Sequence, residues 1–214
     1  MIVVPIGFIF YLSFFNYLRN VKNFSYKTTK SILILTNSIS VSTGCFLYMN
    51  NYIPVSLLLN FYRMTLGFYL SDLIMMYDNE PLKIYITKIC HHLMAGSGTL
   101  YSHLAPLHSC YFYITEIVNL PIELRFVIIE HNYKKYYLEE IASFLTYTLF
   151  FYTRIYKGYY FISDTLNYRE WDIVMLSCIR GIYVLWWYLF YLINKKVFEM
   201  GLTWYRRKKS NKSK

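Results

Sequence analysis

Two histidines stand side by side, His91 and His92, and three acids, Asp72, Glu116 and Glu123, stand in neighbouring apolar runs of the chain. An imidazole oriented by a carboxylate in a low-dielectric setting can accept a proton or act as an activated nucleophile. Adjacent residues on a helix point about 100° apart, so one histidine can face a pocket while the other faces a neighbouring helix. Four arginines, Arg63, Arg125, Arg154 and Arg180, also fall inside apolar runs. A guanidinium there can meet the anionic head of a lipid or acyl donor, or pair with an acid between helices. Arg154 lies two residues from the end of its run, where its side chain can equally snorkel to the surface. Metal chemistry finds no footing. Helical metal pairs want i, i+3 or i, i+4 spacing, and His91, His92, His103, His108 and His131 offer none. No glycine-rich phosphate loop is present, and Gly96-Ser97-Gly98 reads as close helix packing rather than a nucleophile elbow.

These residues need elements to position them, and the apolar runs supply helices. Of the 214 residues, 56% are hydrophobic, 21% aromatic and 16% charged. Soluble domains usually carry about 25% charged residues. Charges cluster in short gaps between runs at 2–18, 31–49, 54–77, 83–101, 106–129, 138–156 and 172–194. A helix needs roughly 20 apolar residues to cross the hydrocarbon of a bilayer. The pattern predicts an all-α fold, a polytopic transmembrane bundle of about seven helices. Pro54, Pro81 and Pro106 stand at the starts of three runs, where a missing N–H costs no intrahelical bond. Pro121 lies inside the fifth run and is expected to kink it. The first run lacks a basic leader and a small-residue cleavage site, so it reads as a retained helix. Cys45, Cys90, Cys110 and Cys178 each fall in an apolar run without metal-ligand spacing, and read as small buried side chains.

The net charge is +10, but its distribution favours a membrane over nucleic acid as the partner. The gaps on alternate sides hold sixteen lysines and arginines on one side and two, Lys157 and Arg169, on the other. Such a bias fits an odd number of spans, with the N-terminus outside the cytoplasm and the basic tail within it. Residues 1–30 then form the first helix and a cytoplasmic loop. Residues 31–195 form the membrane domain. Residues 196–214 form a basic cytoplasmic tail, whose last stretch, RRKKSNKSK at 206–214, is expected to be disordered. Counted along these spans, His92 and Glu116 fall near mid-membrane. Asp72 and Glu123 fall about two turns nearer the cytoplasm. Glu116 is therefore the acid expected to orient a histidine, with His92 rather than His91 as the reacting member.

The motifs resemble those of the TLC-domain (TRAM–LAG1–CLN8) family of lipid-handling membrane proteins. Phe68-Tyr69-Leu70-Ser71-Asp72-Leu73 is similar to the aspartate-bearing first element of that family, and Lys88-Ile89-Cys90-His91-His92 to its histidine pair. Glu116-Ile117-Val118-Asn119-Leu120-Pro121, ending in Arg125, is similar to the third element, and Phe150-Phe151-Tyr152-Thr153-Arg154 to a later one. The proline stands one place later than in the most similar members, and Glu123 occupies a position where those members carry asparagine. The paired aspartates of the ceramide synthase branch are absent between His92 and Arg125. The likeness is strongest to the short TLC-domain-containing proteins.

The resemblance implies a role in lipid metabolism or homeostasis in the endoplasmic reticulum, with a lipid held in an intramembrane cavity and membrane lipids as partners. Two alternatives stand beside it. One is an acyl-CoA-dependent ceramide synthase-type N-acyltransferase, for which His92, His91, Glu116 and Asp72 would be the catalytic candidates. Arg125, Glu123, Arg63 and Arg180 would then bind the lipid or the acyl donor. The other is a membrane cargo or trafficking receptor. No cofactor is implied, and acyl-CoA enters only as a candidate substrate.

Overall fold

The computed structural model describes residues 2–131, 137–166 and 173–212, and every regular element among them is helical. Helix α1 (Val3–Asn16) runs into a π-helical turn, Tyr17–Val21. Then come α2 (Tyr26–Met49), α3 (Val55–Tyr77) and α4 (Leu82–Tyr101). The fifth rod is made of α5 (Pro106–Tyr113), a 3-10 stretch (Ile114–Val118) and α6 (Asn119–Glu130). The sixth joins α7 (Leu138–Leu149), a π-helical stretch (Phe150–Tyr156) and α8 (Lys157–Leu166). The last is α9 (Ile173–Lys212). The described chain thus forms the seven helical rods that the apolar runs predict.

Local chemistry explains where these rods begin and break. Pro54 and Pro81 immediately precede α3 and α4, and Pro106 opens α5. Ser25 caps α2, its hydroxyl accepting the Thr28 N–H at 3.1 Å. Asn23 and Asn51 take positive φ, of 54° and 61°, in the turns flanking α2, a conformation asparagine tolerates better than most side chains. The break expected at Pro121 appears one turn earlier, as the 3-10 stretch. Proline has no N–H for the Ile117 carbonyl and its ring crowds that carbonyl, so the chain tightens just ahead of it.

Two expectations are corrected. The gap after residue 156 is not a loop throughout, because α8 continues the sixth rod to Leu166. The basic tail is not irregular either, because α9 continues to Lys212. Lysine and arginine are good helix formers and sit favourably at a helix C-terminus, where the helix dipole is negative. Lys134, Lys135 and Arg169 lie outside the described residues.

Two helical stretches, Tyr26–Met49 and Leu176–Glu199, are long and apolar enough to cross a membrane, each with a mean hydropathy of 1.5. The other rods carry dilutions or interruptions: Arg63 and Asp72 in α3, the histidine pair in α4, and the 3-10 and π stretches in the fifth and sixth rods.

The bundle has an apolar exterior, and its interior combines a hydrophobic core with buried polar and charged side chains. Ile74, Leu93, Phe126, Phe144, Val184 and Trp187 are all exposed. Asn37, Ser38, Ser71, Asp72, His92, Glu116 and Arg154 are all buried. Water-soluble folds rarely leave large apolar side chains exposed on so many elements. Helix α2 lies at the centre, touching α1, α3, α5, the 3-10 stretch and α6. Helix α1 packs on α3 at a pair of glycines. A β-carbon on Gly67 would come within 2.5 Å of the Phe8 backbone nitrogen, and one on Gly7 within 3.0 Å of the Met64 carbonyl.

Candidate functional site

Helices α3 and α4 form a hairpin joined by a tight turn, and across it His92 Nε2 meets Asp72 Oδ2 at 2.8 Å. Both residues are almost inaccessible, at 5% and 1% exposure. This corrects the expected pairing of His92 with Glu116, and the reason is geometric. Side chains on a helix lean toward its N-terminus. In an antiparallel hairpin Asp72 therefore leans away from the connecting turn while His92 leans toward it. The two close an offset that counting residues along the spans leaves open.

With Asp72 ionised, its bond to Nε2 assigns the ring proton there and leaves the lone pair on Nδ1. Nδ1 and Asp72 Oδ1 are buried with no hydrogen-bond partner among the described residues. Tyr69, one turn before Asp72 on α3, stacks on the His92 ring with centroids 4.6 Å apart and planes 22° apart. Phe68 meets the same imidazole edge-on at 6.4 Å. The ring is thus held by a hydrogen bond at one edge and an aromatic face above it. His91 is half-buried and turned away from Asp72, edge-on to Tyr69 at 6.5 Å. One histidine faces the carboxylate and the other does not, as their 100° separation requires.

Glu116 belongs to a second buried polar group. Its Oε2 accepts a hydrogen bond from Asn119 Nδ2 at 2.6 Å, and its Oε1 lies 3.9 Å from an Arg154 terminal nitrogen. Asn119 also donates to Ser38 Oγ on α2 at 3.1 Å. Arg154 is buried at 5% exposure, with its guanidinium over the Phe150 ring at 5.2 Å and the Trp186 ring at 5.7 Å. Snorkelling is excluded for this arginine. Its inward aim comes from the π-helical stretch that carries it, an irregularity the sequence does not announce. The Tyr69 hydroxyl lies within electrostatic reach of both Glu116 and Arg154.

The family model of the TLC domain matches residues 8–205. The chain belongs to the TLC-domain family. No curated protein and no solved structure matches it. Membership points to a membrane protein linked to lipid biology, and the apolar exterior and two long apolar helices are consistent with that.

The remaining candidates of this TLC domain do not gather on His92. Glu123 accepts a hydrogen bond from Ser31 Oγ at 2.6 Å, within electrostatic reach of Asp72, Lys88 and Lys30. Arg125 is held by Glu139 at 2.8 Å and Ser143 at 3.0 Å, between α6 and α7. Arg63 donates to Asn60 on its own helix at 3.0 Å, and Arg180 is exposed on α9. Among the described residues no three histidine, cysteine or acidic side chains gather as metal ligands. Two residues join the site that sequence reasoning did not single out, Tyr69 and Asn119. Tyr69 precedes Asp72 by three positions on the same helix face, which is the one signal that could have marked it.

Proposed function

We propose that this TLC domain spans a bilayer with all seven rods and holds a lipid by its polar group against the Asp72–His92 pair. The observation that carries this reading is the His92 imidazole, buried, fixed by Asp72 and Tyr69, and presenting an unpartnered Nδ1. A buried acceptor of this kind is stabilised by a hydroxyl or amide donor from a ligand, and the apolar exterior supports a lipid as that ligand. The charge bias of the gaps supports an N-terminus outside the cytoplasm and a cytoplasmic tail. Lipid homeostasis in the endoplasmic reticulum is the role this reading assigns.

The same observation favours a second reading, acyl-CoA-dependent N-acyl transfer. Asp72 holding Nε2–H leaves Nδ1 free to take the proton from an attacking amine as the thioester carbon–sulfur bond breaks. Asp72 would then stabilise the imidazolium. Glu116 takes no direct part, because Arg154 and Asn119 already engage its oxygens.

One experiment separates the two. The purified protein in lipid nanodiscs is incubated with labelled acyl-CoA and a sphingoid base, and separately with a photoactivatable lipid. Lipid capture that drops at least tenfold in His92→Ala without label transfer supports the first reading. Transfer that disappears in the same variant supports the second. Capture unchanged by His92→Ala, with no transfer, overturns both.

A further inference from the structure

At the end of the bundle opposite the α3–α4 turn, two cysteines from distant parts of the chain converge on one phenol. Cys45 lies one turn before the end of α2, and Cys110 one turn into α5. Both are free thiols at 0% exposure. The Tyr62 hydroxyl donates to Cys110 Sγ at 3.1 Å and sits 3.7 Å from Cys45 Sγ. The two sulfurs therefore flank a single oxygen atom. Buried cysteines usually pack as small apolar side chains, each against its own neighbours. Here two of the chain's four meet on one hydroxyl oxygen, where α2 touches α5.

We infer that Cys45 and Cys110 are joined by a disulfide in the mature protein, tying α2 to α5. The compartment argument rests on the topology proposed above. The turns after α2 and before α5, at 50–53 and 102–105, carry no basic residue and face away from the cytoplasm, toward an oxidising lumen. The chemistry is exchange with a disulfide donor, either an oxidoreductase or an oxidised small thiol. One cysteine thiolate attacks a donor sulfur and expels the donor's other sulfur as a thiolate, leaving a mixed disulfide. The second cysteine thiolate attacks the protein-side sulfur and expels the remaining donor sulfur. The two cysteine protons end on the donor sulfurs, now a dithiol for an oxidoreductase or two thiols for a small disulfide, and two electrons pass to them from the cysteines. Because neither sulfur is accessible in the closed bundle, exchange precedes closure of α2 on α5. Tyr62 does not lose its last partner, since its hydroxyl also reaches the Pro106 carbonyl at 3.4 Å.

The test uses the full chain in native membranes. Free thiols are blocked with a light maleimide in denaturing detergent. The sample is then reduced and treated with a heavy maleimide, and each cysteine is read by position-resolved mass spectrometry. The expected result is heavy label on Cys45 and Cys110 and light label on Cys90 and Cys178. In Cys45→Ala, Cys110 should move to the light label. Light label on Cys45 and Cys110 in the unaltered protein overturns the disulfide. So does heavy label persisting on Cys110 in Cys45→Ala. An N-terminal tag tested for protease protection in the same membranes reports the topology separately. A linked pair beneath an unprotected tag keeps the disulfide and overturns the orientation.

Discussion

The Asp72–His92 contact joins two groups that would each be costly to bury alone. Removing the carboxylate in Asp72→Ala leaves the imidazole without its partner, and the bundle should lose about 1–2 kcal/mol of stability, read as thermal unfolding in detergent. Asp72→Asn keeps an oxygen near Nε2 and should cost less. The Glu116–Arg154 pair carries a larger penalty when halved. Arg154→Met strands a carboxylate at 6% exposure and is expected to cost about 3–5 kcal/mol. Adding Glu116→Gln should recover a substantial part of that loss, a coupling measurable by a double-mutant cycle. Arg154→Lys should not restore the wild-type value, because an ammonium lacks the flat face that lies over Phe150 and Trp186.

Helix contacts make their own predictions. The α1–α3 crossing is close because neither Gly7 nor Gly67 carries a β-carbon. Gly67→Ala places one 2.5 Å from the Phe8 backbone nitrogen, so α1 must move away, and a loss of about 1–3 kcal/mol is expected. Gly98→Ala is the control: a β-carbon there meets nothing within 4 Å, and alanine favours the helix. That variant should unfold at the wild-type temperature or slightly above. At the far end of α6, Glu130 accepts hydrogen bonds from Ser25 and, at 2.6 Å, from Thr28, clasping the N-terminus of α2. These two donors hold its carboxyl below the ordinary glutamate range. A depressed folded-state pKa contributes stability above the unfolded value, about 4.3, and loses it as pH falls through the folded value. Unfolding followed from pH 6 down to pH 3 should therefore show an acid-dependent component that Glu130→Gln removes.

For the molecule as a whole, the testable quantity is the side on which each terminus lies. The proposed seven crossings would put the ends on opposite faces, with the basic end of α9 in the cytoplasm. A protease added to sealed microsomes should remove a C-terminal tag and spare an N-terminal one. An even number of crossings would treat both alike. Helix α9 spans 40 residues, or roughly 60 Å at 1.5 Å per residue, about twice the hydrocarbon thickness. In the proposed topology its basic end would extend well beyond the bilayer, in reach of anionic headgroups on the cytoplasmic leaflet.

The amino-acid sequence determined by itself the helical class, the number of rods, most of their boundaries and the short set of ionisable residues from which the buried ones, Asp72, His92, Glu116 and Arg154, are drawn. Apolar run length, proline placement and the expense of charge in hydrocarbon are local properties, readable one segment at a time. It also singled out His92 and Asp72 by their resemblance to family motifs. The partners were decided only by tertiary structure. Which acid meets His92 depends on the opposed lean of side chains in the α3–α4 hairpin. Whether Arg154 turns inward depends on a π-helical stretch. The meeting of Cys45 with Cys110 depends on how α2 crosses α5. Each is a matter of relative helix rotation and depth, and these emerge only when the rods pack against one another.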